Sequence, residues 1–455
     1  MKKMVNGEIT AFLSLVFLLL LSLTGAVLES ASIQVMKNEK RADAGRATES
    51  VFAEYQRELL EEYDIFAVES SYETGTVSET NILNRLSFYG AENMDVDIEG
   101  IRYLTDKNGM EFYRQAVMYE KEKTGVAAVE ELTGDLPVWQ EQEEREEEFG
   151  EENRETSENL ERMLQEGEQS LPQEGNPLVT VSNIRSGSLL NMVLPEGFEL
   201  SRRAVVLTDL VSHRELRKGY GSLKEKEPGM EDTVFFNLYL FEKYGNALDE
   251  YRSGGIQYEL EYLLEGKESD IENLEAVVKK ICGFRFAANY SYLLTDTTKQ
   301  AEAETLAVTL CTLLLMPEIV PVVQQALLLA WAYGEGIVDV RTLLAGKRVP
   351  LLKSSETWQL SLEGLINLKE GETVQEGMDV EDGYTYARYL QILLLLKQRE
   401  RLTMRALDLM EINMRTLFGK TDFRADACFT GTEFLVVCPM RRGIQYKFNT
   451  IFQYQ

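Results

Sequence analysis

Hydrophobic positions are distributed unevenly along this chain. From Ile9 to Leu28 some twenty residues pass without a charge, and thirteen of them are Leu, Ile, Val or Phe. At about 1.5 Å per residue, a helix of that length covers the ~30 Å hydrocarbon core of a bilayer. Those thirteen side chains contribute on the order of −4 to −8 kcal/mol to insertion. Ile9, Phe12, Leu13, Val16, Phe17, Leu20, Leu23 and Leu28 are the expected membrane-spanning positions. Lys2 and Lys3 precede the run and Glu29 follows it, which places the N-terminus in the cytoplasm and the bulk of the chain outside. The run also admits two other readings, a cleaved leader and a buried helix of a soluble protein. A leader has an apolar core of about 7–15 residues ending in a small-x-small site. The sites here, Thr24-Gly25-Ala26 and Ser30-Ala31-Ser32, are mediocre matches, so an uncleaved single-pass anchor is the expectation.

Beyond Glu29 the helical period persists. Ala44, Ala47, Val51, Tyr55 and Leu59 recur every three or four residues, and no proline occurs before Asp64. One continuous helix from Ile9 to Tyr63 would be roughly 80 Å long, a stalk standing on the anchor. The stripe is a candidate helix-packing surface, either for another helix or for this chain's own outer domain. Further on, "MDVDIEGIRYL" alternates Met94, Val96 and Ile98 with acids, as a half-buried strand does. The same letters mimic the start of a calcium loop, but its twelfth position is Asp106 where a glutamate is needed. Between Trp139 and Glu174 fourteen acids stand against three arginines, which reads as a solvated helix or a linker.

The remainder is denser. "LVTVSNI", "RAVVLTDLV" and "DTVFFNLYLFEKY" read as strands or short helices, and "GGIQYELEYLLEG" as a strand carrying Ile256, Tyr258 and Leu260 on one face. Helices follow at about 268–296, 298–316 and 318–345. Pro317 and Pro321 divide "LAVTLCTLLLMPEIVPVVQQALLLAWAY" into arms too short to span a membrane, so a buried helical hairpin is expected there. An amphipathic helix over about 384–418 leads to a C-terminal β-hairpin, where Ile444, Tyr446, Phe448, Thr450, Phe452 and Tyr454 alternate with Gln445, Lys447, Asn449, Ile451, Gln453 and Gln455. The expected fold class is therefore α+β: a transmembrane helix (about 9–28) continuing into a helical stalk, then a mixed outer domain with helical hairpins and a C-terminal β-hairpin. Residues 1–70 form the anchor and stalk, 71–136 a small mixed α/β segment, 137–176 the acidic linker or solvated helix, and 177–455 a mixed extracellular domain.

Charge narrows the function. With 76 Asp and Glu against 47 Lys and Arg, net −29, the chain is unsuited to broad nucleic-acid contact. Four cysteines, Cys282, Cys311, Cys428 and Cys438, are too sparse for a disulfide framework. Cys428 and Cys438 lie near the hairpin, as a bridge or as two buried thiols. The single histidine, His213, sits in the polar and basic stretch "VSHRELRKGY", which suggests a surface position, and it cannot complete a histidine-based metal site alone. No G-x-S-x-G elbow is present, and "FGKT" at Phe418–Thr421 lacks a phosphate-loop glycine because position 414 is Met414. No catalytic, cofactor-binding or metal-binding residue is assigned, and no cofactor is expected.

The stretch "NGEITAFLSLVFLLLLSLTGAVLESASIQVMKNEKRADAGRATESVFAEY" resembles the N-terminus of TadE/TadG-like proteins, the minor pilin-like components of Tad (Flp) pilus assembly and secretion systems. Together with "LTDTTKQAEAETLA", "LAWAYGEGIVDVRTLLAGKRVPLLKSSETWQLSLEGL" and "MRALDLMEINMR", it is also similar to an uncharacterised clostridial family of single-pass envelope proteins. Prepilins are cut after a glycine and carry a glutamate five residues on. Here Gly7 is followed directly by Glu8 and position 12 is Phe12, so the resemblance implies a TadG-like uncleaved anchor. It implies a non-catalytic protein of the cell membrane whose partners are the lipid bilayer, pilin-like or other Tad-system membrane proteins, and the cell wall. The alternative is a membrane-tethered surface module that binds a ligand or acts on a glycan.

Overall fold

The structure, a computed structural model, describes residues 5–72, 74–124, 134, 136–173, 175–223, 229, 231–250, 254–368 and 377–454. The architecture is mixed α+β, with a long N-terminal apolar helix, a small antiparallel sheet and a C-terminal β-hairpin. The chain divides into two compact units: Met1–Gln115 with Leu216–Glu227 and Lys420–Gln455, and Ala116–Glu215 with Pro228–Gly419.

In the first unit α1 (Val5–Phe52) is a single helix of 48 residues. It ends eleven residues short of the expected Tyr63. The chain leaves the helix so that the Gln56 N–H can donate to the Ala67 carbonyl at 2.8 Å, a pairing no local signal announces. A separate helix α2 (Arg57–Tyr63) follows and is closed by Asp64 in the left-handed conformation, φ 53°. Tyr55 and Leu59 therefore leave the α1 stripe.

The sheet is built around β3 (Cys428–Pro439). β2 (Asp95–Tyr103) pairs along one edge, from Asp95 opposite Val437 to Tyr103 opposite Phe429. Along the other edge lie β4 (Gln445–Gln453) and the short β1 (Val68–Glu69), and all pairings are antiparallel. The alternation read from the sequence holds along β4: Tyr446, Phe448 and Phe452, with Tyr454 just past its end, and Met94, Val96 and Ile98 beside and along β2, pack onto the core, whereas Ile444 lies on the turn before β4. Asp95, Asp97 and Glu99 are exposed on the opposite side of β2. On a regular strand alternate residues stand about 6.6 Å apart, so these carboxylates do not wrap as a calcium loop would. α3 (Glu79–Leu86), capped by the Ser78 side chain on Thr80 N–H, and the start of α4 (Asp106–Lys123) complete the unit.

The second unit is helical: α5 (Leu136–Glu166), α6 (Pro177–Ser186), α7 (Leu189–Val193), α8 (Asp232–Lys243), α9 (Glu259–Glu265), α10 (Asp270–Leu293), α11 (Thr297–Leu313), α12 (Val320–Leu344), α13 (Leu362–Ile366), α14 (Tyr386–Leu395) and α15 (Arg399–Thr416). The expected hairpin at Pro317 and Pro321 is present. α11 ends at Leu313, Leu315 turns the chain at φ 58°, and α12 starts with Pro321 in its first turn.

Several expectations are corrected here. Of the two readings open for "LVTVSNI" and "DTVFFNLYLFEKY", the helical one holds, on α6 and α8. "GGIQYELEYLLEG" contributes the helix α9, not a strand. Tyr258, Leu260, Tyr262, Leu263 and Leu264 are all buried, so no solvent face remains to mark the helical period. The span 384–418 is two helices broken at Gln398, which is extended at φ −66°, ψ 128°. The acidic stretch forms α5 and is not a free linker. Trp139, Gln142, Thr156, Leu160 and Leu164 are buried at spacings of helical period. Phe149 meets Tyr290 edge-on at 4.9 Å, and Glu152 accepts from the Tyr290 hydroxyl at 2.8 Å and from Gln325 at 2.6 Å. Gly283 makes room for this approach, since a β-carbon there would lie 2.0 Å from Glu146 Oε1.

Candidate functional site

The apolar part of α1 is bare. Over its most apolar window, of mean hydropathy 2.5, none of its residues is buried. Phe12, Phe17 and Leu28 are 66%, 65% and 71% exposed; Ile9, Leu13, Leu20 and Leu23 are exposed and Val16 half-buried. Each such side chain loses on the order of 1.5–3 kcal/mol by standing in water rather than in an apolar phase. The polar groups within the run are satisfied inside the helix: Ser14 donates to the Thr10 carbonyl at 2.8 Å, Ser22 to Leu19 at 3.0 Å and Thr24 to Leu21 at 2.9 Å. The helix thus suits hydrocarbon as it stands, and is compatible with a membrane anchor or a signal sequence.

The rear of the same helix is built into the sheet. Ala44, Ala47 and Val51 are buried at 3%, 0% and 0% against the core face that carries Phe434, Val436 and Cys438. Small side chains let the helix backbone approach the strands closely. Phe52 stacks on Phe452 at 4.3 Å and meets Phe429 and Tyr454 edge-on at 5.3 and 5.2 Å. Of the predicted stripe, these three alanine and valine positions are buried in this chain's own core, Tyr55 lies edge-on to Phe66 at 5.3 Å, and Leu59 is buried on α2.

A cleft of about 780 Å³ opens elsewhere in the first unit. One wall is the start of α4, where Lys107, Asn108 and Gly109 are all left-handed (φ 51°, 58° and 76°). The other is the segment Leu216–Leu223, joined to β2 by paired bonds of 3.0 Å between Ile101 and Tyr220. Gly219 is required there: a β-carbon would lie 2.2 Å from Asp106 Oδ2 and 2.4 Å from the Ile101 carbonyl oxygen. Asp106 accepts the N–H groups of Tyr103 and Gly219, both at 2.8 Å, and so ties the walls together. Lys107, Arg217 and Lys218 line the cleft as exposed cations, and the buried Thr105 hydroxyl has no hydrogen-bond partner among the described residues. Sequence reasoning missed this cleft. The available signals were the turn-forming Asn108-Gly109 pair and the two glycines of "RKGYGS" behind their cations.

The second unit buries several charged groups. Arg285, Glu335, Asp339 and Lys353 form a closed network. Near the surface, His213 Nδ1 lies 2.8 Å from Ser212 Oγ, and that hydroxyl donates to Asp408 Oδ2 at 2.6 Å. The serine stands between carboxylate and imidazole, whereas a hydrolytic relay needs the imidazole between the other two. Asp408, pushed up to about 6 by burial, also accepts from the Ser212 N–H and the Tyr262 hydroxyl, so it anchors this loop. Glu261, pushed up to about 7 by burial, holds the Ala247 N–H and the Tyr386 hydroxyl in the same way. All four cysteine thiols are buried and unbridged. Cys428 and Cys438 stand ten residues apart on one strand, about 33 Å, far beyond disulfide reach.

The sequence model of a family of unknown function, DUF5702, matches residues 167–440. The chain belongs to the DUF5702 family. No curated protein and no solved structure matches it. The DUF5702 match covers the helices from α6 to α15 and the strand β3, and it includes both the segment Leu216–Leu223 of the cleft and the buried network. α1, α5 and β4 lie outside it.

Proposed function

We propose that this DUF5702 protein is a non-catalytic, membrane-anchored envelope protein that works as a minor pilin-like or assembly component of a Tad-type pilus or secretion system. α1 remains in the membrane with its N-terminus in the cytoplasm, and the two folded units stand outside the cell. The observation that carries this reading is the continuity of α1. The same unbroken helix presents a bare apolar half and then docks by its rear half on the sheet, so anchor and folded unit move as one piece. A leader destined for removal needs no such coupling. The resemblance of this stretch to TadE/TadG-like proteins supports the assignment to that machinery. Because Ala44, Ala47 and Val51 are buried in this chain's own core, pilin-like or other Tad-system helices meet α1 along its bare half. The test is a deletion strain together with purification of the full-length protein from detergent. The expected result is loss of pilus display, an intact N-terminus in the membrane fraction, and co-purifying Tad-system membrane proteins. Normal filaments in the deletion strain, or mature protein starting beyond Leu28, overturn it.

A second reading, that of a surface module holding an anionic ligand, is favoured by the cleft alone. Three exposed cations line it in a chain of net charge −29. The one carboxylate among its described lining residues, Asp106, is already engaged by two backbone donors, so binding rather than glycan cleavage is the chemistry it suits. Calorimetric titration with inorganic phosphate and with citrate checks this. Arg217→Glu with Lys218→Glu should weaken binding about tenfold or more, with the wild-type affinity falling as salt is added. No measurable heat for either anion removes this reading.

A further inference from the structure

The β3–β4 hairpin runs beside α1 in a register that can be followed side chain by side chain. Lys37 Nζ lies 5.0 Å from the centre of the Tyr446 ring, and the Arg41 guanidinium lies 5.5 and 5.8 Å from Tyr446 and Phe448. Fifteen residues further along the helix, Phe52 stacks on Phe452. Residues 37–52 of a helix rise about 23 Å and residues 446–452 of a strand about 20 Å, so α1 and β4 run side by side in the same direction. The turn that joins β3 to β4, Met440–Ile444, therefore lies beyond Tyr446 on the side of the apolar half of α1. Stepping back from Tyr446 to Ile444 and Gly443 covers about 7–10 Å, or five to seven residues of helix. That brings the turn level with about residues 30–32, immediately past the end of the apolar run at Leu28 and Glu29.

The side chains at this level suit a headgroup layer. Ile444 on the turn and Val35 on α1 are 41% and 64% exposed. Lys37, Lys40 and Arg41 on the helix and Arg441 and Lys447 on the hairpin make five bases, against the four acids Glu29, Glu39, Glu92 and Asp95 of the same region. This end of the unit therefore inverts the strongly acidic balance of the whole chain, which carries 76 acids and 47 bases. The geometry points to a second membrane contact. The β3–β4 turn rests on the bilayer surface beside α1, with Ile444 entering the headgroup layer and Arg441 and Lys447 pairing with the phosphates of anionic lipids. Two points of contact, a spanning helix and a surface turn, fix the tilt of the first unit against the membrane where one helix would leave it free to lean.

This contact rests on the anchor reading, and the experiment separates the two. All four native thiols are buried, so a cysteine introduced at an exposed position is labelled selectively. Full-length Ile444→Cys and Ile451→Cys proteins, each carrying one bimane fluorophore, are reconstituted into vesicles of phosphatidylcholine and phosphatidylglycerol in a ratio of about three to one, with a nitroxide on the headgroup of a fraction of the lipid. Ile451 is 60% exposed on β4 and lies about 23 Å from Ile444 along the chain, away from the turn. Protein that floats with the vesicles should show quenching at position 444 about three times that at 451 or more. Adding Arg441→Glu and Lys447→Glu should reduce the quenching at 444 towards the level at 451 while flotation is kept. Equal quenching at both positions in floating protein, or undiminished quenching at 444 after the charge reversals, overturns the surface contact alone. Protein that does not float overturns the anchor, and the contact with it.

Discussion

Replacing Lys353 by methionine should unfold the helical unit, or bring it close to unfolding. Lys353 is buried with its ammonium 2.5 Å from Glu335 Oε1 and 2.6 Å from Asp339 Oδ1, and it donates to the Thr357 carbonyl at 3.2 Å. Asp339 is also held by Arg285 at 2.9 Å, and Arg285 donates further to Asn289, Tyr389 and the carbonyls of Pro350 and Leu351. Glu335 accepts the N–H groups of Gln359 and Leu360 at 3.0 and 2.7 Å. Two cations and two carboxylates thus cancel inside the core, and nearly every polar atom has a partner. Burial pushes the Glu335 carboxyl up, whereas Asp339 is held below the usual range by Arg285 and Lys353 despite its burial. Removing Lys353 leaves two buried carboxylates facing one guanidinium. The expected loss is about 3–5 kcal/mol, a large part of the roughly 5–15 kcal/mol that a typical fold has. Denaturant unfolding of the full-length protein in detergent, followed by circular dichroism, measures it. The double variant Lys353→Met with Glu335→Gln should lose less than the sum of the two single changes, because the second removes the charge that the first strands. A loss below about 1 kcal/mol for Lys353→Met would mean that the network is not ionised.

Ala47→Glu should separate α1 from the sheet. Ala47 is fully buried in the core cluster that it shares with Ala44, Val51, Ile82, Leu86, Phe434 and Val436, where α1 meets the rest of its unit. A glutamate there is both too large for the seam and charged in an apolar contact. The cost is on the order of 4 kcal/mol or more unless the helix lifts away. The control is Ala42→Glu, at an exposed position of the same helix, which should change stability by no more than about 0.5 kcal/mol. Limited proteolysis of detergent-solubilised protein distinguishes them. The Ala47→Glu chain should be cut rapidly within residues 30–52, where wild type and Ala42→Glu resist. Equal resistance in all three would show that the seam does not hold the helix. The proposed function depends on this result, since a helix free of its sheet no longer couples the anchor to the folded unit.

Local patterns proved legible where one element keeps one wet and one dry side. The strict alternation from Tyr446 to Tyr454 appears as β4, the acid-apolar alternation from Met94 to Glu99 as β2, and the proline pair at Pro317 and Pro321 as the hairpin between α11 and α12. Patterns failed where both sides are dry or where an acidic surface hides a narrow seam. α9 is buried all round, so its apolar residues carry no period. α5 shows water a face so rich in glutamate that Trp139, Leu160 and Leu164 look incidental in sequence, yet they pack in the core. The cleft was equally hidden, because its walls come from residues more than a hundred positions apart, tied by Asp106 to Gly219.

The amino-acid sequence by itself determined that an apolar helix begins the chain, that a helical hairpin and a β-hairpin follow, and that the whole is acidic. Each of these depends on neighbours within a turn or a strand, where periodicity and charge act directly. Only the tertiary structure decided that the stalk stops at Phe52, that its alanine stripe is buried in the chain's own core, that Lys353 neutralises Glu335 and Asp339, and that the β3–β4 turn lies beside the end of the apolar run. These depend on which distant surfaces exclude water together, and burial of that kind is a property of pairs of elements.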